Sequence, residues 1–209
     1  MQLSNERTFT RWAYAARALP IRLTPKSNAS AVASVSLTTE EGLRNVYPLL
    51  DSWTDPTGQA WLRIRVPLRP TPRIGWVLAT AFGPAHLVRT QLIVDRRHLR
   101  ATLYRAGHRI WRSAIGIGKA STPTPAGHFW IRERLHSTDP HGPYGPWAFG
   151  TSAYSRLSDW PGGGVIGIHG TDQPDLIPGR PSHGCIRVPN AAIRRLAHLM
   201  PVGTPVRIR

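Results

Sequence analysis

The sequence predicts a mainly β protein with two small domains and one short helix close to the C-terminus. A chain of 209 residues can bury real hydrophobic cores but is too short for more than two compact domains. Residues 61–66 alternate apolar and cationic side chains, as a half-buried strand does. Apolar residues recur at helical spacing in residues 191–200, where Asn190 is the predicted N-cap and Pro201 ends the helix.

The first domain is predicted to be a small β-barrel. The run Trp61-Leu62-Arg63-Ile64 precedes a turn and a second strand, Gly75-Trp76-Val77, and this pattern resembles a bacterial SH3-like domain. Three tryptophans either fill the barrel or line a ligand groove, and we favour the core because small barrels need large apolar side chains: Trp53, Trp61 and Trp76. The predicted boundaries are 1–20 for an N-terminal lead, 21–82 for the SH3-like domain and 83–87 for a linker.

The second domain, residues 88–209, is predicted to contain short strands, a hairpin and a long loop. Residues 101–104 and 110–117 flank a turn at Gly107 and form the predicted hairpin. Residues 136–160 are rich in Gly, Pro, Tyr and Ser and lack periodicity, which is typical of a functional loop or lid. Its aromatic side chains either wall a substrate groove or pack on the domain: Tyr144, Trp147, Phe149 and Tyr154.

Charge and cysteine content limit the classes of function. The formal net charge is +16 at pH 7, spread along the chain, which argues against a disordered basic tail and favours contact with nucleic acid or an anionic cell envelope. Cys185 is the only cysteine, so there is no disulfide framework. Residues 1–20 hold no apolar run of signal-peptide length, and no segment is apolar enough to span a bilayer, so an export signal is not visible.

The residues around Cys185 indicate a nucleophilic thiol. A thiol near its ordinary pKa is mostly protonated at neutral pH, so it needs a base or a cation beside it. His169 follows an apolar run, residues 163–168, and is the favoured base, while His183 either assists or shapes the site. Gly184 removes a Cβ beside the thiol, so that a carbonyl substrate can reach the backbone N–H groups of a predicted oxyanion hole.

Each of these residues also has an ordinary structural interpretation. A lone cysteine is usually buried and inert, and a histidine in a strand is usually a satisfied structural residue. Ser182 is either a turn residue or part of the site. Arg187 is either a solvated charge or a group that holds a substrate carboxylate or supports the thiolate. The tight spacing of one cysteine, two histidines and a glycine favours the catalytic interpretation.

The order of these residues resembles the signature of L,D-transpeptidase catalytic domains of the YkuD type. The resemblance rests on His169-Gly170-Thr171, on Ser182-His183-Gly184-Cys185-Ile186-Arg187 and on the upstream Thr122-Pro123-Thr124-Pro125-Ala126-Gly127-His128-Phe129. It covers residues 87–209 and implies a β-sandwich or barrel with one short C-terminal helix. The implied catalytic residues are Cys185 as nucleophile and His169 as base. The other predicted site residues are Gly184, Gly170 and His183 for the oxyanion and for orienting the base, and Ser182, Arg187 and Tyr144 for substrate binding.

The activity that the resemblance implies is cross-linking of peptidoglycan stem peptides outside the cytoplasm, in the cell envelope. Cys185 would attack the carbonyl before the terminal D-alanine of a tetrapeptide stem, and an amine of a neighbouring stem would resolve the thioester. No cofactor and no metal are expected. Carbapenem β-lactams are expected inhibitors, anionic envelope polymers are candidate partners, and nucleic acid is not an expected partner.

Two other functions stay open from the sequence. His169, His183 and Cys185, with His128 or Asp172, are a candidate zinc-ligand set of a metallopeptidase, although Cys and His two residues apart on a strand chelate poorly. A basic module that binds nucleic acid or wall polymer, with a structural Cys185, would show salt-dependent binding and indifference to thiol reagents.

Overall fold

The chain is described from a computed structural model that covers residues 1–69, 71–157 and 161–209. Within these residues the fold consists of three β-sheets, short 3-10 turns and one α-helix, which confirms the predicted mainly β architecture. None of the residues in these three ranges belongs to a helix with the length and apolar character that a membrane span requires.

The N-terminal part of the chain forms the first sheet. Its strands are β1 (Thr10–Tyr14), β2 (Pro20–Arg22), β3 (Ala31–Ser34), β4 (Val46–Thr54), β5 (Ala60–Val66), β6 (Arg73–Leu78) and β7 (His86–Val88). Their order across the sheet is β3-β2-β6-β5-β4-β1-β7, and a separate apolar core lies against them. Trp61 is buried as expected and Trp76 is partly buried, but Trp53 is 39% exposed, so the preferred core interpretation is wrong for Trp53. The assignment to the SH3-like domains, with its boundaries, stays a prediction.

The first sheet extends beyond the predicted domain at both ends. Residues 10–14, predicted to belong to a patternless lead, form β1 between β4 and β7. Trp12 and Ala13 are both buried there, which breaks the period-two pattern and hides the strand from a search for alternation. His86–Val88 overlaps the predicted linker, yet it pairs with β1 as the edge strand β7.

The remaining strands form two further sheets. They are β8 (Thr90–Asp95), β9 (Arg100–Arg105), β10 (His108–Ala114), β11 (Gly116–Gly118), β12 (Gly127–Trp130), β13 (Leu135–His136), β14 (Trp147–Tyr154), β15 (Val165–His169), β16 (Gly179–Ser182), β17 (Ile186–Arg187) and β18 (Pro205–Ile208). The second sheet has the order β10-β9-β8-β18-β12, and the third has the order β13-β14-β15-β17-β11-β16. The predicted hairpin is confirmed, because β9 and β10 pair antiparallel around Ala106 and Gly107, which both have positive φ.

The second and third sheets share one apolar core with α1 (Asn190–Leu199). Ile193, Leu196 and Ala197 of the helix are buried, as the helical spacing predicts. The predicted N-cap is wrong: the helix already includes Asn190, the cap position falls on Pro189, and no side chain caps it. Asn190 instead accepts a hydrogen bond from the backbone N–H of Thr171.

The predicted loop of residues 136–160 contains a long strand. Its second half forms β14, which pairs with β15 and buries Phe149 completely. Small and polar residues in β14, together with a register shift between Gly150 and Tyr154, hide this strand from sequence analysis. Tyr144 lies in the turn-rich segment before β14, whereas Trp160 is outside the described residues.

Candidate active site

The turn between β16 and β17 holds Cys185 through hydrogen bonds to its own backbone. Ser182 Oγ donates to the carbonyl of Cys185 at 2.6 Å and accepts from the N–H of Gly184 at 3.1 Å. Thr124 Oγ1, which is buried, donates to the carbonyl of Gly184 at 2.7 Å. Ser182 therefore shapes the turn, which is one of its two predicted interpretations, and its predicted role in substrate binding stays a prediction. Sequence reasoning assigned no role to Thr124, although it lies in the Thr-Pro-Thr-Pro run that supported the resemblance.

Gly184 is required by the conformation of this turn. Its φ is +126°, and a Cβ at this position would lie 2.6 Å from Cδ1 of Ile166, so an L-residue would be both strained and in collision. Its N–H is bonded to Ser182, which makes it unavailable as the predicted oxyanion donor. Of the backbone N–H groups near Gly184 that the sequence predicts as donors to the oxyanion, that of Cys185 remains.

The thiol of Cys185 is buried beside β15. The N–H of Gly167 donates to Sγ at 3.3 Å. Burial raises the pKa of the Cys185 thiol above its ordinary value, and the Gly167 hydrogen bond and the charge of Arg187 lower it to a smaller extent. The charge of Arg187 thus acts in the direction that favours the thiolate, but burial outweighs it, and sequence analysis counts charges but not burial. Cys185 rests as a neutral thiol.

His169 ends β15 and is held by its neighbour in the chain. Nδ1 lies 2.6 Å from the carbonyl oxygen of Gly170, and since a carbonyl only accepts, the Nδ1 atom carries the proton. Burial lowers the pKa of His169 from 6.5 to about 4, with a smaller opposing effect of the Gly170 hydrogen bond. The imidazole is therefore neutral at neutral pH, and Nε2 keeps a lone pair for a proton.

Asn190 fixes the segment that orients the base. Its Oδ1 accepts from the N–H of Thr171 at 2.8 Å, directly after the Gly170 carbonyl. A Cβ on either Gly145 or Gly170 would collide with this oxygen, so both glycines are needed for the close packing. Sequence analysis missed this role because Asn before a helix is usually a cap.

His183 and Arg187 lie at the margin of the site. The carbonyl of His183 accepts a hydrogen bond from Ser155 Oγ at 3.0 Å, and His183 is not among the described residues that line the cavity around the thiol. Arg187 pairs with His169 across β15 and β17, and its Nη1 donates to Gln173 Oε1 at 2.8 Å. Its charge lowers the pKa of both His169 and Cys185. Arg187 therefore acts on His169 and Cys185 through its charge, and its predicted contact with substrate stays a prediction.

A cavity of about 440 Å³ opens above the thiol and the imidazole. Tyr144, which is 49% exposed, sets its ring edge-on to His169 at 4.9 Å between centroids. The lining residues are Glu41, Glu133, Leu135, His136, Ser137, Thr138, Tyr144, Ala148, Phe149, Gly150, Val165, Gly167, His169 and Cys185. Tyr144 thus lies where the sequence predicts a substrate wall, and its contact with substrate stays a prediction.

The candidate zinc-ligand set is not assembled in the part of the chain that the structure describes. In those ranges no three side chains of His, Cys, Asp or Glu form a group that could hold a metal ion. His128 and Asp172 do not line the cavity around Cys185.

A thiol and an oriented, neutral imidazole in one cavity are the parts that cysteine-based nucleophilic catalysis requires. Comparison with known families agrees with this chemistry. Residues 89–208 match the YkuD family, whose description is L,D-transpeptidase catalytic domain. Because the match covers more than half of the chain, the protein belongs to the YkuD family of L,D-transpeptidases.

Individual relatives agree with this membership. The chain is 37% identical to the L,D-transpeptidase YkuD of Bacillus subtilis over 94 residues, which are 45% of this chain and only 50% of that protein. It is 29% identical to YkuD of Bacillus licheniformis over 191 residues, which are 91% of this chain and 98% of that protein. An L,D-transpeptidase structure from Mycobacterium tuberculosis H37Rv has a TM-score of 0.50 at 15% identity, covering 93% of this chain and 97% of that one, and shares the fold.

Proposed function

We propose that this protein is a peptidoglycan L,D-transpeptidase that cross-links stem peptides through a thioester on Cys185. One observation carries the proposal: the only thiol of the chain and a neutral imidazole line the same cavity, and the imidazole is fixed on the Gly170 carbonyl. Family membership supports peptidoglycan as the substrate. We place the activity in the cell envelope, where a chain of net charge +16 also meets anionic polymers.

Acylation starts from an uncharged pair. As Sγ of Cys185 attacks the carbonyl that precedes the terminal D-alanine, Nε2 of His169 takes the thiol proton and later delivers it to the departing amine. No thiolate has to exist beforehand, so the raised pKa of the Cys185 thiol is compatible with catalysis. The N–H of Cys185 is the proposed donor to the oxyanion, and the N–H of Gly167 supports the sulfur.

The first test is intact mass after incubation with a carbapenem, a β-lactam that acylates an activated nucleophile. We expect one adduct on the wild type and none on Cys185→Ala, because the acyl group needs Sγ. The same pair of proteins is then given a tetrapeptide stem that ends in D-alanine. We expect cross-linked dimer and free D-alanine from the wild type alone.

Two outcomes would contradict the proposal. A folded wild type without adduct or dimer would leave Cys185 as a structural thiol. An adduct that also forms on Cys185→Ala would mean that another residue is the nucleophile. Circular dichroism of both proteins checks that the fold is the same, and a salt titration of binding to anionic polymer tests the alternative of a basic binding module.

A further inference from the structure

The floor of the cavity contains two glycines that face each other across a strand pair. β14 and β15 are antiparallel, with Gly150 opposite Gly167 and Ala148 opposite His169. Residues directly opposite in such a pair present their side-chain positions on the same face, about 5 Å apart. The absence of two side chains here opens room on the face that carries the base.

The thiol of Cys185 and the carboxyl of Glu133 lie next to the space that these two glycines leave open. A Cβ on Gly167 would lie 3.8 Å from Sγ of Cys185, and a Cβ on Gly150 would collide with Oε2 of Glu133. The carboxylate and the thiol therefore lie above the same face of β14 and β15, beside two glycines that are opposite each other. Glu41, from the segment before β4, lines the same cavity.

Glu133 is a buried carboxyl without an ion-pair partner: burial raises its pKa, and a side-chain hydrogen bond with Thr39 and the charge of Arg132 lower it to a smaller extent. The residue is only 5% exposed, and no salt bridge among the described residues includes it. The preceding Arg132 is committed elsewhere: its Nη1 lies 2.9 Å from Glu40 Oε2 and 3.1 Å from the Tyr154 hydroxyl. Among the described residues that line the cavity, none is lysine or arginine. A buried carboxylate without a direct ion pair is costly, so a cationic ligand is its natural complement.

We infer that Glu133 binds the ammonium group of the acyl acceptor and thereby selects an amine over water for the second half of the reaction. This inference rests on the proposed function. Glu41 adds negative potential at the rim of the same wall. Glu133 is on this account a specificity-determining residue for the acceptor, whereas Cys185 and His169 act on both donor and acceptor.

The proton balance of the step is complete with these groups. The bound ammonium passes one proton to the Glu133 carboxylate and becomes a neutral amine. Its nitrogen attacks the thioester carbon, the C–S bond breaks with its electron pair on Sγ, and a second proton from nitrogen reaches Sγ by way of His169. Glu133 then releases its proton to solvent, and the product is an amide.

The experiment compares the wild type with Glu133→Gln, which keeps the size of the side chain and removes its charge. Asp175→Asn is the matched control, since it makes the same change at an exposed site away from the cavity. Each protein receives a tetrapeptide stem as donor and acceptor, and the ratio of dimer to hydrolysed tripeptide is measured. A parallel reaction contains hydroxylamine, an acceptor that is uncharged at neutral pH, and the hydroxamate is measured.

We expect Glu133→Gln to lower the ratio of dimer to tripeptide by about 10-fold or more, as loss of a charge-assisted hydrogen bond does. Carbapenem acylation and hydroxamate formation should stay at the wild-type level. An unchanged ratio would overturn the inference, and so would a parallel loss of acylation, hydroxamate and dimer, which marks a structural role. A wild type that is not acylated at all would refute the proposed function, and the inference with it, at the first step.

Discussion

The two sides of the cavity are held in place in different ways. The thiol side, Cys185 and His169, is fixed by close neighbours in the chain: the Ser182 hydroxyl and the Gly170 carbonyl. The acid side, Glu133 and Glu41, depends on the segment before β4, because Glu40 pairs with Arg132 across the boundary between the first sheet and the rest. We therefore expect acylation to depend on residues of the family domain, and the choice of acceptor to depend on the N-terminal part as well.

The largest effect should come from breaking the thiol side. His169→Ala removes the proton acceptor for a thiol whose pKa burial has raised, so carbapenem acylation should slow by about 100- to 10,000-fold, the range of general base catalysis. Acylation is followed by intact mass against time. His198→Ala, an exposed histidine on α1, is the control and should keep the wild-type rate. Retention of fast acylation by His169→Ala would mean that another group takes the proton.

The next effect should come from separating the acid side from the first sheet. Arg132→Met removes a buried guanidinium, and with it one hydrogen-bond donor each to Glu40, to the Asn45 side chain and to the Tyr154 hydroxyl. We expect a loss of about 2–3 kcal/mol in the free energy of unfolding, measured by urea denaturation. The variant should form less dimer relative to tripeptide but acylate at the wild-type rate.

A double-mutant cycle with Glu40→Gln sharpens this test. If Arg132 and Glu40 act as a pair, the double variant should be clearly more stable than the sum of the two single changes predicts. Strict additivity, or equal damage to acylation and to dimer formation, would contradict the separation of the two sides.

The sequence predicts the thiol side of the cavity better than the acid side. His169 and Cys185 were predictable because part of what holds them is close in the chain: the Gly170 carbonyl follows His169, and Ser182 bonds the backbone of Cys185. Glu133 was not predicted, since its contact with Thr39 joins residues that lie far apart in the chain. Likewise, β1 was not predicted, because it is defined by its pairing with β4 and β7 and not by a pattern in its own sequence. The sequence also does not show that the hydrogen bonds of Ser182 and of the Gly184 N–H lie within the turn, because this is a property of the folded backbone.

A smaller effect should follow from loosening the base without removing it. Asn190→Ala leaves the buried N–H of Thr171 without its acceptor, beside the carbonyl that holds His169. An unpaired buried donor costs about 1–3 kcal/mol, and we expect about 10-fold slower acylation. The ratio of dimer to tripeptide should not change. Asn190→Asp retains the acceptor oxygen and should restore most of the rate, whereas failure of this rescue would make Asn190 a packing residue only.

The smallest effect, and the one that compares the two sides within one protein, is the response to acid. Burial lowers the pKa of His169 to about 4, so its base form persists as the pH falls, and carbapenem acylation should change by no more than about 2-fold between pH 7 and pH 5. Burial also raises the pKa of Glu133 above 4.5, so this carboxylate gains its proton at a higher pH than His169 does. The dimer-to-tripeptide ratio of the wild type should therefore fall towards that of Glu133→Gln before acylation declines. Acylation that instead fades around pH 6.5 would mean that His169 titrates like an exposed imidazole, and that burial does not set the chemistry of the thiol side.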